Sequence, residues 1–368
     1  MKILFIFDYY YPYVGGAEVV HQRLAEYMAQ KHDVIVLTQA LDYPKEEIIN
    51  KVRIIRVPTL HRLTFPYQAF KKAKELVKDI DLVQASTYAA GVLAAKLRKY
   101  TKAKLVLLVH GCLGKLWHSF GYPLLLGHLY ELYEKKLFKK KFDHYVAVAE
   151  HTKKKLHDRG IDSNKITVIH NGVDTNLFAQ RTMNISLRQK HDISATRFLG
   201  IFYGRPNIMK GINYLLPAML KLRDEKNLHF LFILSRKPYA DYKKVIDFVE
   251  KNELQKTVTI VDTVPNSQIP DYLAMANVVM LPSLTEECCM NAIEASAMNI
   301  PIIATNIPGL VEVVFGKVIF IPSKSSEAVV EAFRQAMANQ FVEVPKKDFS
   351  WQKALDQYDQ VYEKLVTF

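Results

Sequence analysis

The 368-residue chain is poor in cysteine and has no long apolar run, and each absence excludes a class of protein. Its three cysteines, Cys112, Cys288 and Cys289, are odd in number and lack C-x-x-C or Cys/His metal spacing, which excludes a disulfide framework and a zinc site. No stretch reaches the roughly 18 consecutive apolar residues that a spanning helix needs. The apolar opening MKILFIF ends at Asp8 and is too short for a secretory leader. We therefore expect a cytoplasmic protein with reduced thiols.

The remaining composition, 49% apolar and 24% charged, is typical of a globular enzyme long enough for two domains. Its charge is uneven: residues 1–180 hold 28 Lys and Arg against 17 Asp and Glu, a net of +11, whereas residues 181–368 hold 22 against 20, a net of +2. The lysine clusters of the first half are either solvated helix faces or a field that attracts anionic lipid, phosphorylated substrates or nucleic acid. They lie at Lys71–Lys74, Lys96–Lys104, Lys135–Lys141 and Lys153–Lys155.

Short apolar strands alternate with amphipathic helices in two sets, from Lys2 to Ile169 and from Phe198 to Asn339. The polar segment 173–196 between them is the predicted linker. This alternation predicts an α/β protein with two domains, each a doubly wound parallel sheet, whose carboxyl ends can face one another across a cleft. The last segment, Trp351 to Leu365, predicts an amphipathic helix.

The most informative segment is Leu281 to Val314, which begins at the end of a predicted strand. Glu286 falls in the loop after that strand, and Glu294 in the first turn of a helix predicted from Asn291. The N–H groups at a helix start suit a phosphate, and the two carboxylates suit the hydroxyls at the two ends of a nucleotide sugar. The alternatives are structural: Asn291 and Glu294 have the spacing of a capping box, and Glu286 is a solvated loop acid.

A second motif, GRPNIMKG at Gly204 to Gly211, follows the predicted strand Phe198 to Tyr203. Arg205 and Lys210 at the carboxyl end of a strand can neutralise a diphosphate, the former as a bidentate fork and the latter as a point charge. The loop lacks P-loop spacing, which argues against an ATPase. The alternative is a pair of ordinary surface cations.

Two further motifs lie in the first half of the chain. Gly15-Gly16-Ala17-Glu18 follows the first strand and permits a ligand to approach the backbone, but it lacks the G-x-G-x-x-G pattern of dinucleotide-binding proteins. His110 ends the predicted strand Lys104 to Val109, and HNGVD at His170 to Asp174 follows the last strand of the set. The alternatives are a plain turn and histidines with purely structural roles.

In this order and spacing, the four motifs make the chain resemble the retaining glycosyltransferases of the GT-B fold, family 4, over nearly its whole length. The resemblance implies two Rossmann-like domains that face one another across a cleft. Residues 1–180 would form the acceptor domain, with residues 351–368 crossing back to it as a helix, and residues 190–350 would bind the nucleotide sugar. The family motifs are E-x7-E at Glu286 to Glu294, GR and KG at Gly204 to Gly211, GGAE at Gly15 to Glu18, and HNGVD at His170 to Asp174.

The resemblance also implies roles for single residues in the catalytic centre. Arg205 and Lys210 would hold the diphosphate and stabilise its departing charge. Glu286 would hold hydroxyls of the transferred sugar, and Glu294 would meet the ribose. His110 would lie beside that sugar and the reaction centre.

Other donor contacts implied by the resemblance come from the backbone. Gly16 would let its loop approach the donor or the acceptor, and Val264 would contact the base. The chain departs from the family after Glu286, where many members have Gly-Phe-Gly and this chain has Glu287, Cys288 and Cys289, so its loop lacks the freedom of glycine. The phosphate would still be reached by the N–H groups of Cys289, Met290 and Asn291.

The expected mechanism needs no metal, because cations and a helix start stabilise the leaving diphosphate, so no Asp-x-Asp motif is required. The resemblance implies front-face attack with retention, in which the leaving phosphate helps to take the acceptor proton. We expect no cofactor other than the co-substrate, a UDP- or GDP-sugar.

Two features of the first half bear on the acceptor: its net positive charge and one amphipathic segment. The segment Trp117 to Phe142 joins apolar YPLLLGHLYELY to basic EKKLFKKKF, which is typical of a membrane-surface helix or of a core helix with a basic end. We expect a glycan or lipid-linked acceptor in cell-envelope polysaccharide or glycolipid synthesis, peripheral contact with an anionic membrane at its inner face, and no nucleic acid partner. The alternatives are a GT-B nucleotide-sugar epimerase and a non-catalytic basic binding protein.

Overall fold

The computed structural model describes residues 1–13, 15–119 and 123–367, which form two compact units. The first unit comprises Met1–Gly172 and Trp351–Phe368, and the second comprises Val173–Ser350. Residues 120–122, part of the predicted membrane-facing segment 117–142, and residue 368, the last of 351–368, lie outside the described residues.

In the described part of the first unit, one sheet of eight strands has the order β3-β4-β2-β1-β5-β6-β7-β8, and all neighbours are parallel except β3 and β4. Its central strands are buried on both faces, which explains why they are nearly continuous apolar runs. The strands are β1 (Lys2–Ile6), β2 (Asp33–Gln39), β3 (Glu46–Ile49), β4 (Val52–Val57), β5 (Leu82–Ser86), β6 (Lys104–Val109), β7 (His144–Ala147) and β8 (Ile166–Val168).

Helices cover this sheet and supply the rest of its core. The carboxyl-terminal helix belongs to this unit: Tyr362 is fully buried and its hydroxyl donates to Gln84 Oε1 at 2.5 Å. The helices are α1 (Gly16–Met28), α2 (Phe65–Gln68), α3 (Phe70–Leu76), α4 (Ala89–Leu97), α5 (Leu124–Phe138) and α6 (Glu150–His157), with Trp351–Thr367, numbered α14, at the end of the chain.

The second unit contains, in its described residues, a sheet of seven strands in the order β11-β10-β9-β12-β13-β14-β15, with only β15 antiparallel. The strands are β9 (Phe198–Gly204), β10 (Leu228–Leu234), β11 (Val258–Asp262), β12 (Val278–Leu281), β13 (Ile302–Thr305), β14 (Gly316–Ile321) and β15 (Val342–Val344). The helices are α7 (Ile185–Lys190), α8 (Ile212–Lys221), α9 (Tyr239–Lys251), α10 (Ile269–Leu273), α11 (Met290–Ala297), α12 (Pro308–Val311) and α13 (Ser326–Met337).

The segment 173–196, predicted as a linker, is instead part of the second unit. Its helix α7 carries Arg188, whose guanidinium is fully buried and donates to the carbonyl oxygens of Met275 and Arg197 at 3.1 and 2.9 Å, and to Asn277 Oδ1 at 2.9 Å. A polar sequence is therefore compatible with a packed segment here, because one long cation satisfies several buried backbone acceptors.

The chain leaves and re-enters the first unit at neighbouring points. Val173 N donates to the carbonyl oxygen of Phe349 at 2.7 Å, and Val173 forms a parallel bridge with Ser350. One residue earlier, a Cβ on Gly172 would lie 2.6 Å from the backbone and ring of Trp351, so the HNGVD motif needs glycine at this position for close packing.

Both sheets reverse their strand order at one point, between β1 and β5 and between β9 and β12. In open parallel sheets, ligands bind beside such a point, at the carboxyl ends of the strands. Within the described ranges, none of the helices is both long enough and apolar enough to cross a membrane.

Candidate functional site

Two loops meet beside the switch point of the second unit, one after β9 and one after β12. Gly211 ends the first loop with a φ of +74°, and a Cβ there would lie 1.8 Å from the carbonyl oxygen of Pro282 in the second. Leu284 N also donates to the carbonyl oxygen of Met209 at 2.7 Å. Only glycine fits at this contact, and the contact brings the GR/KG and E-x7-E motifs together.

An ion pair joins the two motifs. Lys210 Nζ lies 2.6 Å from Glu286 Oε1, and the same carboxylate oxygen accepts from Ser283 Oγ at 2.8 Å. Burial alone would lower the pKa of the Lys210 ammonium, but the Glu286 carboxylate beside it raises that pKa above its ordinary value. The alternatives of a surface cation and a solvated loop acid are therefore wrong: the side chains of Lys210 and Glu286 are only 27% and 12% exposed, because each satisfies the other.

Arg205 lies near this pair and differs from Lys210 in its surroundings. Its side chain is exposed, and its positive charge repels the Lys210 ammonium, which acts to lower the pKa of Lys210. In the described residues its guanidinium makes no ion pair, so the corner holds one neutralised cation and one that faces solvent.

Glu294 lies on α11, half-buried, where Tyr203 at the end of β9 contacts it. The Tyr203 hydroxyl lies 2.9 Å from Glu294 Oε2 and 3.0 Å from the carbonyl oxygen of Asn291, and Asn291 Nδ2 donates to the Tyr203 carbonyl oxygen at 2.7 Å. The capping-box alternative is therefore wrong: the helix begins at Met290 with Cys289 as its N-cap, and Glu294 bonds to a tyrosine. Burial raises the pKa of Glu294 to about 7, although the Tyr203 hydrogen bond and Lys210 act against this rise.

Val264 is not brought into this group. It lies in the loop after β11, half-buried against the core, and β10 separates β11 from β9 in the sheet. Val264 lies at the carboxyl edge of the sheet, and its contact to a nucleotide base stays a prediction.

The corresponding edge of the first unit holds Gly16 and His110. Gly16 is the exposed first residue of α1, and a Cβ built there meets nothing within 4 Å. His110, directly after β6, has its Nε2 atom 2.9 Å from Nε2 of His21. Burial lowers the pKa of His110 to about 4, which keeps the ring neutral at physiological pH.

The comparisons with known proteins decide the family. The model of Glycosyltransferase Family 4 matches residues 14–177, and that of Glycosyl transferases group 1 matches residues 184–354. The chain belongs to glycosyltransferase family 4.

Related proteins and structures extend over the full length of this glycosyltransferase. An uncharacterized glycosyltransferase of Methanocaldococcus jannaschii is 23% identical over 98% of both chains. A sucrose-phosphate synthase structure from Thermosynechococcus elongatus has a TM-score of 0.84 at 19% identity over 100% of both chains. The Anabaena HepE structure in complex with UDP-glucose has a TM-score of 0.78 at 18% identity, covering 99% of this chain and 100% of the other. These structures confirm the predicted GT-B fold.

The glycosyltransferase does not need glycine where the family pattern has it. Cys289 is extended, with a φ of −76°, and no residue in the described loop 283–289 has a left-handed backbone. Its side chain is buried, and burial followed by the Glu286 charge raises the pKa of the thiol, so it remains a neutral packing group. Within the described residues, the N–H groups of 289–291 at the start of α11 have no hydrogen-bond acceptor.

Three polar residues at these two sheet edges, Tyr203, His21 and Asp8, were not predicted from the sequence as candidates for the site. Tyr203 and His21 occupy positions that the periodic pattern assigns to a core, and the only signal was a polar atom on each. Asp8 follows β1, pairs with Arg62 at 2.5 Å and accepts from Ala90 N at 2.7 Å, so it anchors the start of α4.

Proposed function

We propose that this glycosyltransferase moves a hexosyl unit from a UDP- or GDP-sugar to a glycan or lipid-linked acceptor, with retention of configuration. The second unit binds the donor, and the first binds the acceptor. The observation that carries the proposal is the convergence of Lys210, Arg205 and the amino end of α11 beside one switch point, with two carboxylates among them.

The charges of this corner suit a diphosphate. Arg205 is available as a bidentate fork, Lys210 supplies a point charge, and the free N–H groups of 289–291 supply dipoles without a metal. The UDP-glucose bound to the Anabaena neighbour supports a nucleotide sugar as the ligand.

The carboxylates suit the two sugars of such a donor. Glu286 would accept hydrogen bonds from hydroxyls of the transferred hexose, and Glu294 from the ribose. The Lys210 ion pair holds Glu286 in place before the donor arrives, so the donor meets a preorganised carboxylate.

The transfer step follows from where charge develops. The bond between the anomeric carbon and a diphosphate oxygen breaks, and the leaving oxygen gains negative charge that Arg205, Lys210 and the start of α11 stabilise. The acceptor hydroxyl oxygen bonds to the same face of the anomeric carbon, and its proton passes to the leaving phosphate oxygen.

Contact with an anionic membrane is proposed through α5. Its outer face exposes Leu124, Leu125, Leu129 and Leu132, and Lys135 and Lys136 continue that face in the last turn. Exposed leucines beside lysines complement lipid tails beside anionic headgroups, which favours a lipid-linked acceptor of an envelope glycan or glycolipid. Glu131 and Glu134 of the same helix are buried instead.

Donor binding is tested with a thermal-shift screen of UDP- and GDP-hexoses. A donor should raise the melting temperature of the wild type and of Lys243→Ala, a matched control whose lysine pairs with Asp247 on the exposed face of α9, but not that of Lys210→Ala. The nucleotide and glycoside products of a reaction run in the presence of EDTA, which removes free metal ions, are then analysed. An isomerised nucleotide sugar would identify an epimerase, and salt-sensitive polynucleotide binding without donor binding would identify a basic binding protein.

Membrane contact is tested by vesicle sedimentation. The wild type should bind vesicles that contain phosphatidylglycerol and not pure phosphatidylcholine, and Leu125→Glu with Leu129→Glu should abolish this binding. Equal binding by that variant would contradict the assignment to α5.

A further inference from the structure

A pair of histidines in the first unit forms a hydrogen-bonded chain that ends at the carboxyl edge of its sheet. His21 on α1 is buried and stacks on Phe7 with ring centroids 3.8 Å apart. Its Nδ1 lies 3.2 Å from the carbonyl oxygen of Tyr9, and its Nε2 lies 2.9 Å from Nε2 of His110. Both ring nitrogens of His21 are therefore occupied by fixed neighbours.

The contacts determine which nitrogen of His21 carries its proton. A carbonyl oxygen can only accept, so Nδ1 of His21 is the donor to Tyr9. Burial, then the adjacent His110, lowers the pKa of His21 well below its ordinary value, and the Arg62 guanidinium acts in the same direction. A neutral imidazole has one N–H, so Nε2 of His21 carries a lone pair.

The tautomer of His110 follows from that of His21. Because Nε2 of His21 accepts, the 2.9 Å contact requires Nε2 of His110 to donate. His110 is also neutral, so its Nδ1 carries the lone pair. Within the described residues this Nδ1 has no hydrogen-bond partner, and the ring is only half-buried.

We propose that His21 is a positioning residue that holds His110 in the Nε2-H tautomer, so that Nδ1 of His110 accepts a hydrogen bond from a hydroxyl of a bound sugar substrate. The assignment to a sugar hydroxyl rests on the proposed transferase function; the tautomer does not. The alternative tautomer would present an N–H at the same point, so that the hydroxyl would have to accept a hydrogen bond from His110 instead of donating one.

The tautomer is tested by NMR on the whole protein labelled with 15N-histidine, between pH 6 and pH 8. Protonated and lone-pair ring nitrogens have well-separated shifts, and the two residues are identified by the signals that disappear in His21→Phe and in His110→Gln. We expect Nδ1-H in His21 and Nε2-H in His110. A proton on Nδ1 of His110, or a doubly protonated ring at pH 7, would overturn the proposal whether or not the protein transfers sugar.

The functional consequence is tested by the kinetics of His21→Phe, which keeps a ring against Phe7 but removes the acceptor. We expect kcat to fall by about three- to tenfold with an unchanged donor KM, as for one lost hydrogen bond in the transition state. The matched control is His144→Phe, which removes a half-buried histidine bonded to Thr167 Oγ1 at 2.9 Å and should keep the wild-type kcat. An unchanged kcat in His21→Phe would overturn the positioning role. If the wild type shows no transfer with any donor, the proposed function fails while the NMR result still decides the tautomer.

Discussion

The two sheets of this glycosyltransferase carry opposite kinds of chemistry at their carboxyl edges. In the second unit the edge holds charges: Arg205 and the Lys210–Glu286 pair lie beside the start of a helix. In the first unit the carboxylate of Asp8 is committed to Arg62 and to a helix start, and His21 and His110 are neutral. The difference is what the proposed function requires, in which the edge of the second unit receives an anion and the edge of the first contacts uncharged hydroxyls.

The largest loss of activity is expected when the charged edge of the second unit loses its paired cation, in Lys210→Met. Removal of the cation should lower kcat/KM by about 100- to 1000-fold, since a preorganised charge no longer stabilises the leaving diphosphate. Glu286, which is mostly buried, also loses its partner, so the free energy of unfolding should fall by about 1–3 kcal/mol.

The double variant Lys210→Met with Glu286→Gln separates the two effects. Urea titration should show most of the stability restored, because no unpaired carboxylate remains, while steady-state kinetics should show no recovery. Wild-type turnover in Lys210→Met would remove this residue from the site.

Two glycine substitutions, one at each edge, compare how tightly the backbone is packed in the two units. Gly211→Ala places a methyl group 1.8 Å from the Pro282 carbonyl oxygen at a positive φ, and we expect a loss of about 2–4 kcal/mol in thermal unfolding. Gly16→Ala enters open space at the start of a helix, so stability should change by less than about 0.5 kcal/mol. If Gly16→Ala nevertheless weakens substrate binding, a ligand lies over that helix start.

A smaller effect is expected from pH. With a pKa of about 7, Glu294 should be mostly ionised at pH 8 and mostly protonated at pH 6, so kcat/KM for the donor should fall by about tenfold between these values. Glu294→Gln should have a flat profile in this range. His110, with a pKa of about 4, does not titrate there.

The same carboxyl gives a stability test with a definite sign. Its folded pKa is raised above the unfolded value, so ionisation opposes folding as the pH rises from about 4.5 through 7. Glu294→Gln should therefore gain stability over the wild type at pH 8 and not at pH 4. An equal difference at both pH values would contradict the raised pKa.

The smallest effect concerns the loop where the chain departs from its family. Cys289→Gly should cost about 1 kcal/mol in urea unfolding, because glycine adds unfolded-state entropy and removes a buried side chain without relieving strain. A stabilised variant would show that the extended backbone at Cys289 is strained after all.

The sequence was sufficient to predict the elements that a doubly wound sheet repeats. The central strand β6 was predicted at its observed bounds, Lys104 to Val109, because burial on both faces makes it an uninterrupted apolar run. The edge strands β3 and β15 were missed, since three-to-four-residue strands with exposed charges have no such pattern. The burial of Arg188 could not be predicted, because Met275 and Asn277, which accept its hydrogen bonds, lie far from it along the sequence.

The site was predictable only as a set of residues, not as an arrangement. Motif spacing identified Lys210 and Glu286, but their ion pair depends on two loops that Gly211 holds together. His21 was missed because a helix period assigns a position to the core without saying which polar atom it meets there. The domain roles and the catalytic or donor-binding role of every predicted site residue remain predictions.

The hydrogen bond from Val173 N to the Phe349 carbonyl oxygen places the first and last residues of the second unit side by side. Residues 173–350 are thus a cassette inserted into the first unit between Gly172 and Trp351. If the second unit binds the donor and the first the acceptor, as proposed, then exchanging residues 173–350 among family members, with Gly172 and Trp351 retained at the junction, would recombine donor choice with acceptor choice.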